Sequence, residues 1–115
     1  MSVRIREIML KEGMPTVEEA RRRLKEELEQ ARRHGDRVLK LIHGYGSTGV
    51  GGVLRDAIRS SLRRRCKEGK IRAFVAAERW DSLDKSVRTL LDTCPELARD
   101  ADFRNHNEGV TFVLP

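Results

Sequence analysis

Aromatic residues supply only 4% of this 115-residue chain, one Trp, one Tyr and three Phe, which excludes a broad stacking platform for bases or other planar ligands. Cysteine is scarcer still. Cys66 and Cys94 have no CxxC neighbour and no metal-ligand spacing, so two reduced thiols are expected, with neither a disulfide nor a zinc site. No apolar run approaches the roughly 20 residues that cross a bilayer, and the N-terminus lacks the apolar centre of a secretory signal. A soluble, cytoplasmic protein with no membrane partner is the expectation. Internal repeats, low-complexity tracts and linkers are also lacking, and at this length residues 1–115 are expected to form one domain around one core.

Charge, by contrast, is abundant: 24 Lys and Arg stand against 18 Asp and Glu, a net charge of +6. An excess of that sign favours a polyanionic partner. Nucleic acid leads, DNA or RNA alike, and an acidic protein bound by a non-catalytic interaction module is the alternative.

Residues 3–10 are β-rich and are closed by Glu12-Gly13-Met14-Pro15, which turns the backbone out of a first strand. Thr16-Val17-Glu18-Glu19 has the capping-box pattern. The stripe Val17, Ala20, Leu24, Leu28, Ala31 then marks a helix that ends at His34-Gly35. Residues 37–42 read as a short buried strand. Leu54, Ala57, Ile58, Ser61 and Leu62 carry a second helix, from Gly52 to about Gly69, and residues 71–77 and 109–114 read as two more strands. Between these last two lies an insert, about residues 79–107, whose Leu83, Val87, Leu90 and Leu91 suggest a short helix packed on the sheet edge, with Trp80 tacking it down. Right-handed crossovers would make the first three strands parallel neighbours.

Between the second strand and second helix lies Ile42-His43-Gly44-Tyr45-Gly46-Ser47-Thr48-Gly49-Val50-Gly51-Gly52, with five glycines. A segment so poor in side chains can bring backbone N–H groups against a phosphate. Gly44 to Gly49 matches GxGxxG, but it follows the second strand rather than the first, and no dinucleotide is expected. Gly46 to Gly51 has P-loop spacing, yet Gly52-Val53 stands where Lys-Ser/Thr is required. Ligands of open α/β sheets bind beyond the carboxyl ends of the strands. At that edge the order places Lys11-Glu12-Gly13, the glycine segment, Glu78-Arg79-Trp80 and, if the last strand is antiparallel, residues 104–108.

His43-Gly44-Tyr45-Gly46, the following glycines and Leu54-Arg55-Asp56-Ala57-Ile58 resemble the HGxG…G-x-LR segment of the small MutS-related (Smr) domain family. Thr16-Val17-Glu18-Glu19-Ala20 is similar to that family's first helix, and Glu108-Gly109-Val110-Thr111-Phe112-Val113 to its final strand. The resemblance implies an α/β two-layer β-α-β-α-β-β sandwich with a mixed four-stranded sheet and two main helices, like the C-terminal half of bacterial translation initiation factor three, the helical insert preceding the last strand. It implies binding of DNA or RNA, and some members nick nucleic acid. One departure bears on cleavage: where the family's first strand ends in LDxHG, this chain reads Met9-Leu10-Lys11-Glu12-Gly13, so Glu12 replaces the histidine and Leu10 the aspartate.

The expected phosphate-binding set is Gly44, Tyr45, Gly46, Ser47, Gly49, Gly51 and Gly52, with Arg55, Arg59 and Arg63 recurring every four residues as an exposed ridge on the second helix. Arg55 would make a bidentate phosphate contact. The expected catalytic pair is His43, moving a proton near neutral pH, and Glu12, orienting His43 or recruiting a divalent cation for cleavage. No resident metal site is expected. His106, in a polar run at the same edge, is a lesser candidate.

Overall fold

A computed structural model describes residues 5–13, 15–35, 38–44, 50–81 and 83–115. Strand β1 (Ile5–Met9) is followed by helix α1 (Val17–His34), β2 (Val38–Ile42), α2 (Val50–Lys67) and β3 (Ala73–Ala76). A 3₁₀ turn (Ala77–Arg79), α3 (Lys85–Thr93), a second 3₁₀ turn (Pro95–Arg99) and α4 (Ala101–Arg104) lead to β4 (Val110–Leu114).

Helix α1 begins on its predicted capping box: Thr16 Oγ1 accepts from the Glu19 amide at 3.1 Å, and Glu19 Oε1 accepts from the Thr16 amide at 3.4 Å. It stops at Gly35, whose φ of 70° is the left-handed conformation that glycine adopts without strain. Ala20, Leu24, Leu28 and Ala31 form its buried face, each leucine contributing about 1.5–3 kcal/mol through burial. Helix α2 presents Leu54, Ile58 and Leu62 to the same core.

The sheet order is β1-β2-β4-β3. β1 and β2 pair in parallel, Met9 opposite Ile42, while β4 runs antiparallel to both neighbours, with Val110 opposite Ile42 and Thr111 opposite Ala76. The mixed four-stranded sheet matches expectation, but β4 separates β2 from β3, which are therefore not hydrogen-bonded neighbours. The start of β4 and the ends of β1, β2 and β3 share one edge.

Helices α1 and α2 cover one face. The insert covers the other rather than the edge: Val87, Leu90, Leu97 and Phe103 pack against Val75, Val110, Phe112 and Leu114. Trp80 meets Phe103 edge-on at 5.7 Å and fastens the insert as expected. Leu83 does not join this core; it precedes α3 and is 84% exposed. A second tie is electrostatic. Lys40, central in β2 and 7% exposed, places Nζ 2.6 Å from Asp102 and 3.0 Å from Asp100. Neither cysteine is in a disulfide; Cys94 lies in the core and Cys66 is half-buried. Among the described residues no helix is long and apolar enough to cross a membrane.

Candidate nucleic-acid interface

Where β2 ends, its backbone stays tied to β4: the amides of His43 and Gly44 both donate to the Gly109 carbonyl, at 3.0 and 3.1 Å. Gly44 then turns with φ 78°, a conformation open to glycine and strained for most other residues. These two amides are therefore spoken for. Tyr45, Gly46, Ser47, Thr48 and Gly49 lie outside the described residues, and Gly51 and Gly52 belong to the first turn of α2.

The His43 imidazole departs most from expectation. It is fully buried rather than facing an open hollow, with Nδ1 2.7 Å from the Gly44 carbonyl and Nε2 2.8 Å from Thr111 Oγ1. Burial pushes its pKa down to about 4, helped by the nearby Arg59 and Arg55 charges and opposed by the Gly44 carbonyl and Glu78. The ring is thus neutral at physiological pH, and both nitrogens are engaged.

Arg59 also leaves its expected place. Its position four residues from Arg55 is a helical repeat, but the side chain folds over the start of β4 instead of lining an exposed ridge. Nε donates to Thr111 Oγ1 at 3.0 Å, Nη1 and Nη2 grip Glu78 at 2.6 and 2.8 Å, and Nη2 also reaches the Glu108 and Val110 carbonyls at 3.3 and 3.4 Å. Little donor capacity remains for a phosphate. Burial would raise the Glu78 pKa, but the Arg59 hydrogen bonds and charge outweigh it and hold the carboxyl below its ordinary value.

Beside this pair opens a groove of about 630 Å³ between α2 and the β3–α3 connection. Arg55 and Arg63 line one wall, Arg79 and Ser86 the other, and the Arg59–Glu78 pair is also part of the lining. Arg55 is 26% exposed beside the far more exposed Asp56, at 3.5 Å. Arg63 and Arg79 are exposed. Asp56, Asp84 and Glu108 also border the groove, so its three guanidiniums outside the Arg59–Glu78 pair are matched by three carboxylates, and the lining alternates in sign.

Glu12 lies just past the end of β1, on the same sheet edge as His43. The Leu10 amide donates to the Ile42 carbonyl at 2.8 Å, keeping the two chain exits side by side. Glu12 is exposed and its carbonyl accepts from Arg23 at 2.9 Å. Among the described residues no three His, Cys, Asp or Glu side chains gather as a metal-holding group. His106 is exposed, has a positive φ of 56° and faces Trp80 with ring centroids 6.3 Å apart.

Thr111 and the Arg59–Glu78 link were not anticipated from sequence. A signal existed for the first: a threonine in the otherwise apolar run Val110–Leu114 is a buried hydroxyl that requires a partner.

A mixed α/β sheet with an arginine-lined groove beside its strand-end edge defines the class, a small α/β domain with its candidate site at one rim. The Smr domain family model matches residues 12–84, and the chain belongs to the Smr domain family, known for binding and nicking nucleic acids. The Smr domain of MutS2 from Thermus thermophilus is similar in structure, with 28% sequence identity and a TM-score of 0.53 over 97% of this chain and 96% of that one. No curated protein matches the chain.

Proposed function

We propose that the chain binds nucleic acid along the groove between α2 and the β3–α3 connection, with Arg55, Arg63 and Arg79 contacting phosphates. Backbone amides of the glycine segment beyond Gly44 would add phosphate contacts. The observation that carries this reading is the groove itself: three partly or fully exposed guanidiniums face it in a domain of a nucleic-acid-binding family. Arg59 is assigned to holding the wall, because Glu78 and Thr111 occupy it.

The test is a salt titration of binding to duplex, branched and single-stranded DNA and RNA. Phosphate contacts predict log affinity falling linearly with log salt, by about 0.9 per neutralised phosphate on duplex DNA. Affinity for none of these polymers, together with capture of an acidic protein, would favour the interaction-module reading.

Cleavage is the second reading, favoured by the adjoining chain exits that carry Glu12 and His43. It requires the His43 ring to exchange one of its present partners for a water or substrate oxygen, because neither nitrogen is open. Nicking of supercoiled DNA or cutting of structured RNA, assayed with magnesium, with manganese and with chelator, decides it.

A further inference from the structure

Arg63 lines the groove, whereas Arg65, two residues on and so about 200° round the helix, lines a separate pocket between α1 and the turn that joins α2 to β3. This pocket holds about 220 Å³. Lys25, Glu29 and Arg32 reach it from one face of α1, and Lys70 from the turn. Gly69, with φ 72°, reverses the chain there, and the Lys70 amide donates to the Arg65 carbonyl at 2.8 Å, which keeps those two residues adjacent. Four cations thus stand against one carboxylate. Glu29 is itself drawn toward Arg33, at 4.0 Å, and Lys70 lies 3.7 Å from Glu68.

Lys25, Arg32 and Arg65 have no ion-pair partner among the described residues, and Arg65 Nε is buried with no acceptor. A buried guanidinium donor without a partner calls for an anion or water nearby. The helix dipoles explain only part of the cluster, because they act within the last turn. Arg32 and Arg65 sit there, but Lys25 lies more than two turns before the end of α1 and Lys70 lies beyond the end of α2. We infer that the pocket is a second phosphate site, with Lys25, Arg32, Arg65 and Lys70 around one phosphate. That a nucleic-acid backbone carries this phosphate rests on the function proposed above. Arg32 also borders a neighbouring hollow with Arg72, so the basic lining continues past a single ion, as a polymer requires. The α2 carbonyls that would repel an anion are already taken, those of Arg64, Arg65 and Cys66 by the amides of residues 68–70. Helix α2 then carries phosphate contacts on both flanks, and the polymer crosses its C-terminal end.

Inorganic phosphate titrated into the full chain should shift the Arg65 Nε–H signal and the Lys70 and Ile71 amides together in nitrogen-15 NMR. Lys25→Glu with Lys70→Glu, both at exposed positions, should abolish these shifts. In nucleic-acid binding the same variant should lower the slope of log affinity against log salt by about 0.9 on duplex DNA, one phosphate. Arg22→Glu with Arg88→Glu, the same change of charge at exposed residues outside the pocket, should leave both readouts close to wild type. Arg65 and Lys70 signals unmoved by phosphate, or losses equalled by the Arg22 and Arg88 control, overturn the site. Phosphate shifts at Arg65 in a wild type that binds no nucleic acid would uphold the site and sink the functional reading. Nucleic-acid binding whose salt slope is unchanged by Lys25→Glu with Lys70→Glu would overturn the path across α2.

Discussion

Arg59 and Glu78 meet in a two-pronged ion pair, Nη1 to Oε2 at 2.6 Å and Nη2 to Oε1 at 2.8 Å, with side chains only 11% and 21% exposed. The pair spans α2 and the 3₁₀ turn after β3, so it clamps one groove wall to the end of the sheet. It also divides the arginines of α2 by role. Arg59 is consumed by structure, while Arg55, half-buried beside Asp56, and the exposed Arg63 line the groove.

Glu78→Ala should destabilise the fold by about 2–4 kcal/mol, because it strands a guanidinium with little access to water, and breaking one half of a buried pair costs more than the pair contributes. Replacing both partners, Arg59→Met with Glu78→Leu, should recover most of the loss. Urea denaturation of the three variants checks this. A Glu78→Ala loss below about 0.5 kcal/mol, the range of ordinary surface substitutions, would show that the pair is solvated and the clamp unimportant.

Local features of this fold were legible in the sequence because their causes are local. The Thr16–Glu19 capping box, the Gly35 stop and the Leu24–Leu28 stripe depend on neighbours within a few residues, and each stands where expected. Strand order depends on pairings across most of the chain, and nothing near β4 announces that it slots between β2 and β3. The insert's position was recoverable in part. Val110–Leu114 is buried at every position, the mark of a strand covered on both faces, and a second layer must then come from the remaining segment. Arg59 was not recoverable, since helical spacing gives the direction of a side chain but not whether a carboxylate or water awaits it.

Acid should weaken the protein through His43. Its folded pKa of about 4 lies below the ordinary 6.5, so the unfolded chain takes up the proton first. Stability is complete above about pH 6.5 and falls as the pH drops towards 4, by about 3 kcal/mol at the lower end. Glu78 acts in the same direction at lower pH, its contribution present above its ordinary carboxylate value and lost as the pH falls through the depressed one. Denaturation of wild type and His43→Asn between pH 4 and 7 separates the two. The variant should lack the upper part of the decline, and equal slopes would mean that the imidazole titrates as it does in water.

Lys40→Met should loosen the insert. The substitution leaves Asp100 and Asp102 facing a strand from which the cation has gone, a loss of about 2–4 kcal/mol moderated by the partial exposure of Asp102. Adding Asp100→Asn and Asp102→Asn to Lys40→Met should restore much of it. Hydrogen exchange offers the sharper readout, with faster exchange concentrated in residues 95–107 and little change in α1. Uniform acceleration throughout the chain would mean that the insert and the main sheet unfold as one unit, with Lys40 serving both.

Binding should depend on Arg55 and Arg63 through charge rather than fold. Eight residues of helix separate them, about 12 Å along the axis, far enough for two separate phosphates. Neither guanidinium is buried as Arg59 is. Arg55→Ala with Arg63→Ala should therefore leave the denaturation midpoint nearly unchanged while lowering the slope of log affinity against log salt by about 1.8 on duplex DNA, two contacts at about 0.9 each. Arg59→Ala should do the reverse, costing stability first. Fluorescence anisotropy at several salt concentrations, beside thermal melts of the same samples, distinguishes the patterns. A salt slope unaltered in the double variant would place the phosphate track on another face, whatever its effect at a single salt concentration.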